Sequence, residues 1–112
     1  MKRVIFTAVL LALSVVSQAA VRSVVLNWVD TQNPTGTTYN VKRGNGPCAS
    51  TPTMNNITTG VTTLTYTDTP VPPGKYCYVV TANYNSMESD PSNTAEAQVK
   101  PFPPNSFTIT VQ

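Results

Sequence analysis

Cys48 and Cys77 are the residues of this 112-residue chain most able to do covalent chemistry. The chain has no histidine and no C-x-x-C, which removes the usual zinc ligand sets and the common redox motif. An even cysteine count in an exported chain favours a structural disulfide, and closing a loop of about 30 residues contributes roughly 3–4 kcal/mol. Without histidine the commonest general base is missing. The many serines and threonines lie in no G-x-S-x-G context and next to no basic partner. Asp30 with Glu88 has the group types of a glycosidase pair, but a chain this short does not build a deep cleft around them. Asp30, Glu88 and Asp90 offer oxygens to calcium, yet no D-x-D-x-D-G loop arranges them. Asn56-Ile57-Thr58 is a formal glycosylation sequon and a weak signal. The residues therefore predict no enzyme, no cofactor and no metal.

The first 19 residues read as a secretory signal peptide. Lys2 and Arg3 are followed by an apolar run from Val4 to Val16 and a small-x-small site at Ser17-Gln18-Ala19. The run is too short for a transmembrane helix, so no membrane span is expected after processing. About 90 residues then remain, which suits one small domain with a modest core. Lys2 and Arg3 leave with the signal, so the seven basic residues fall to five and match the five acidic ones. A neutral chain does not suit a nucleic-acid binder. The predicted location is secreted, periplasmic or at the cell surface.

The elements behind these residues are predicted to be strands. β-prone runs alternate with clusters rich in Pro, Gly, Asn and Thr, and no helix is convincing. "SVVLNWV" puts Val24, Leu26 and Trp28 on one face, and "TYNVKR" turns Tyr39 and Val41 inward. "GNGPCASTPTMNNITTG" is long, irregular and polar, with room for one short edge strand. "TTLTYTD" turns Leu64 and Tyr66 inward. "KYCYVVTANY" puts Tyr76, Tyr78, Val80 and Ala82 on one face and Cys77, Val79 and Thr81 on the other. "TAEAQV" is a further strand, "KPFPP" a stiff linker over 100–105, and residues 106–112 a last strand with Phe107, Ile109 and Val111 on one side. Short strands at regular spacing predict an all-β sandwich.

The stretch 22–99 resembles a fibronectin type III domain, an immunoglobulin-like β-sandwich. "V-x-L-x-W" ends on Trp28 as the family's strand B does. "YNVKRG" is similar to strand C of bacterial members, "YTDTPVPPGKYCYVVTAN" to strands E and F, and "MESDPSN" to the F–G loop. The resemblance implies that Tyr76 is the tyrosine corner, its hydroxyl bonded back to the E–F turn. It implies that Cys77 lies on the outer sheet face and pins the segment after strand C there. It also implies that Asn85, Met87 and Glu88 on the F–G loop are candidate contact residues. Mapped onto the family topology, Arg22, Lys42, Arg43, Lys75 and Lys100 gather at one pole and Asp30, Glu88 and Asp90 at the other.

The chain departs from the family at its start, where strand A is missing. Strand B then becomes a sticky edge bearing Val25 and Val29. Residues 106–112 look like the absent strand placed at the wrong end. The seven residues from Lys100 to Ser106 span at most about 23–25 Å, so the tail can hardly return in the family's sense. It can pair in cis, enter a neighbouring molecule, or stay free. Phe107, Ile109 and Val111 are the contact residues of the second case. The leading expectation is a non-enzymatic binding or adhesion module for a protein or a surface glycan. The alternatives are a subunit assembling head to tail, and an accessory domain of a secreted enzyme.

Overall fold

The computed structural model describes residues 20–112, so the signal-peptide reading of residues 1–19 lies outside the described residues. Seven strands follow in order: β1 (Arg22–Asn27), β2 (Thr38–Asn45), β3 (Asn55–Val61), β4 (Thr65–Val71), β5 (Gly74–Tyr84), β6 (Met87–Glu88) and β7 (Ala95–Val99), with a 3-10 turn at Cys48–Ser50. The protein is all-β. β1 pairs with β4 in one sheet, and the second sheet runs β3-β2-β5, with β6 and β7 both pairing with β5. Every ladder is antiparallel. The two sheets form a sandwich, as the strand spacing predicted. No helix among the described residues is long and apolar enough to cross a membrane.

The core follows the period-2 alternation of the strands. Val41, Val71, Tyr76, Tyr78 and Val99 are buried at its centre, with Val24, Leu26, Trp28, Ile57, Tyr66, Val80 and Ala97 packed around them. Trp28 lies just past β1, meets the Tyr39 ring edge-on at 5.6 Å, and donates its backbone N–H to Leu64 O. β4 and β5 are joined by a turn at Pro72-Pro73, where the Tyr76 hydroxyl donates to Pro72 O at 2.7 Å. β5 and β6 form a hairpin whose two turn residues, Asn85 and Ser86, both have positive φ, the twist that two-residue hairpins require.

The outer face of the larger sheet is partly covered by the segment after β2. A Cβ added at Gly44 would lie 2.7 Å from Met54 Sδ and 2.8 Å from Pro52 Cγ, so only glycine lets that segment close over β2. Cys77, Val79 and Thr81, which point away from the core, are buried beneath the cover.

Four expectations need correction. Leu64 is 43 % exposed, because it sits in the turn before β4 and not in the strand. The polar segment after β2 holds a full seven-residue strand, β3, whose bulged pairing hides its period in the sequence. The two charged poles form only in part: Arg22, Lys75 and Lys100 share one end, but Lys42 pairs with Glu88 at 3.0 Å and Arg43 with Asp68 at 2.8 Å, because both cations lie along β2 beside those carboxylates. Residues 106–112 make no ladder within the chain and are exposed throughout. The linker 100–105 is not free along its length, since the Arg22 guanidinium stacks on Phe102 at 3.7 Å from the ring centroid.

Candidate functional site

Two polar clusters tie charged side chains to partners across the strands. The first is between the sheets. Alternation along β2 turns Tyr39, Val41 and Arg43 to one side, and alternation along β4 turns Tyr66 and Asp68 toward them. Asp68 Oδ2 accepts from Arg43 Nη1 and from the Tyr78 hydroxyl, each at 2.8 Å. Burial first, then the carboxylate, pushes the Tyr78 hydroxyl well above the ordinary tyrosine range. Burial opposes the charge on Arg43, but the bond to Asp68, its negative charge and the neighbouring Tyr78 hydroxyl together outweigh it. The sequence reading placed Arg43 at a pole and left Asp68 unassigned. The inward alternation of both was the signal that could have joined them.

The second cluster closes the loop after β1. Asp30 accepts from the Tyr39 hydroxyl and the Asn33 side-chain amide, each at 2.7 Å, and from the backbone N–H groups of Gln32 and Asn33. The Tyr39 bond, then the Asn33 bonds, hold its carboxyl well below the usual carboxylate range. Tyr39 is pushed up to about 12 by the same bond. Glu88 accepts from Lys42 and Asn40, and the Lys42 bond is the main reason that its carboxyl is lowered. Glu96 accepts from the Cys48 N–H. Four of the five carboxylates are thus held by partners within the chain, and Asp30 and Glu88 do not converge.

Asp30 and Glu88 set an acid limit on stability. Both have folded-state values below their unfolded ones, so their contribution is complete above about pH 5 and is lost as pH falls through and below about 4. Thermal melts from pH 7 to pH 2.5 should therefore show a falling Tm below pH 4. Asp30→Asn should make that fall shallower while lowering the neutral-pH Tm. An unchanged acid profile in the variant would remove Asp30 from this role.

Cys48 and Cys77 are joined in a disulfide that ties the 3-10 turn to the outer face of β5. Cys77 is only 2 % exposed. The bond lies on the outer face of the larger sheet, with Cys48 half-buried above Cys77, and pins the segment after β2 there. Of the residues expected on the F–G loop, Met87 and Glu88 form β6 instead, Met87 being 69 % exposed and Glu88 occupied by its ion pair, while Asn85 sits in the hairpin turn.

The surface that remains unsatisfied is a sheet edge. Trp28 N–H donates to Leu64 O, so by antiparallel alternation Leu26 and Val24 turn their backbone groups to β4. Val25 and Asn27 turn theirs the other way, and among the described residues no strand lies there. Val25 and Val29 stand exposed beside it. A groove of about 460 Å³ runs along this edge, with Arg22–Val25 on one wall and Ala97–Lys100 on the other. β7 pairs with β5 alone and leaves its other edge on the opposite wall of the groove, while the edges of β4 and β3 are blunted. β4 carries Pro70, which has no N–H to give. β3 is polar and bulged, with Gly60 at φ +68°. No protein-family model and no curated protein matches this chain.

Proposed function

We propose that this protein is a non-enzymatic extracellular binding module that takes up an extended polypeptide strand along β1. The observation that carries this reading is the open β1 edge: outward N–H and C=O groups at Val25 and Asn27, flanked by exposed valines and an adjoining groove. Strand addition supplies affinity through main-chain hydrogen bonds and selectivity through alternate side chains entering the groove. The likeness of residues 22–99 to a fibronectin type III domain supports the reading, because that fold keeps a strand beside this edge. The disulfide fits an oxidising compartment outside the cytoplasm, which is where an adhesion or surface-binding module works.

Amide exchange tests it. An unrelated nine-residue peptide of alternating Thr and Val should slow exchange at Val25 and Asn27 at least tenfold and leave the edges of β3 and β4 unchanged. Protection confined to those other edges, or no protection anywhere, would overturn the proposal.

A further inference from the structure

The chain itself carries a segment that fits this edge. We infer that residues 106–112 of a second copy of this chain lie antiparallel along β1, so that the molecules join head to tail. The inference rests on the strand-binding reading above and names its occupant.

The tail has the pattern that the groove needs. Phe107, Ile109 and Val111 are 86, 76 and 89 % exposed and share one side of an extended segment. Their intervening neighbours, Thr108 and Thr110, are β-prone and polar. No side chain from 101 to 112 is charged, so no charged side chain must be desolvated on entry. In the groove the apolar side would meet the partly buried Val24 and Leu26 of β1 and Ala97 and Val99 of β7, while the threonines would lie outward beside Val25.

Direction and reach make the occupant a second molecule. β7 ends at the same end of the sandwich at which β1 begins, since Val99 and Lys100 share the groove with Arg22 and Ser23. The chain's own Pro101 and Phe102 pack there with Val21 and Arg22. An incoming strand therefore enters from the Asn27 end and runs antiparallel to β1. For a molecule's own tail to do this, residues 100–105 would first have to climb the whole of β1. Six linker residues reach about 20 Å, and the six residues of β1 are about as long, so nothing is left for the reversal. Three prolines in 101–104 stiffen the path further.

The test uses the exported full chain. Light scattering from about 10 μM to 1 mM should show mass rising with concentration through dimers to longer chains. Ile109→Asp touches no part of the folded domain and should raise the concentration for half-association at least tenfold. A chain ending at Asn105 retains every strand and the disulfide, and should be monomeric. Adding the peptide 104–112, with Ser106→Cys carrying a spin label, should slow exchange at Val25 and Asn27. The label should broaden Asn27 and Val29 amides more than those near Arg22. Broadening greatest at Arg22 would overturn the antiparallel docking. A monomer at every concentration that also ignores the peptide would overturn the inference. The Thr/Val peptide then decides the parent reading separately: if it still protects Val25 and Asn27, the edge binds strands from another protein.

Discussion

Asp68→Ala should lower the stability of the folded domain by about 3–5 kcal/mol, measured from urea midpoints at pH 7. One carboxylate oxygen serves both Arg43 and Tyr78 between the sheets, and Asp68 itself is 7 % exposed. Removing it leaves a guanidinium without its counter-charge and a buried hydroxyl without an acceptor. The Arg43 side chain is 26 % exposed, so partial hydration places the loss toward the lower end of the range. A domain of this size has about 5–15 kcal/mol in total, so the variant should be close to unfolding at 37 °C. Replacing all three partners with apolar residues, Asp68→Leu with Arg43→Met and Tyr78→Phe, should recover most of the loss, because no buried polar group is then orphaned. A single Asp68→Ala loss under about 1 kcal/mol would mean that water, not Asp68, satisfies the cluster.

Cys48→Ala with Cys77→Ala should cost about 3.5 kcal/mol, which corresponds to a Tm lower by about 15–25 °C for a domain of this length. The sequence separation of 29 sets the entropy that the cross-link removes from the unfolded chain. A second effect is local. The bond holds the 3-10 turn against β5, and the segment beyond it carries Pro52 and Met54 over Gly44. Amide exchange at Gly44 and Val79 should therefore accelerate more than exchange at β1. Strand uptake by β1 should survive at temperatures where the variant stays folded, since β1 and the disulfide are on different sheets. A Tm within 3 °C of the parent would show that the native state, not the unfolded chain, bears most of the constraint.

Much of the framework was legible because strand alternation is a local property. Tyr76 and Tyr78 face the core and Cys77 faces away, as the pattern of "KYCYVV" required. The same rule applied two residues further along "TYNVKR" turns Arg43 inward, although the family topology put it at a charged pole. Asp68 belonged to neither pole. A buried ion can be read from sequence only when its partner is known, and that partner is 25 residues away. The candidate edge was half legible. The unpartnered β1 follows from the strand list, whereas its groove depends on how β7 closes the opposite wall.

What the sequence by itself determined is the strands β1, β2, β4, β5 and β7, the paired cysteines and the alternating tail, because each depends on neighbours within a few residues. What only the tertiary structure decided is the pairing: Arg43 with Asp68, Lys42 with Glu88, the roof over Cys77, and the tail left without a ladder. The physical reason is reach. Hydrogen bonds and ion pairs act over about 3 Å, and only the folded path of the backbone sets which distant groups come that close.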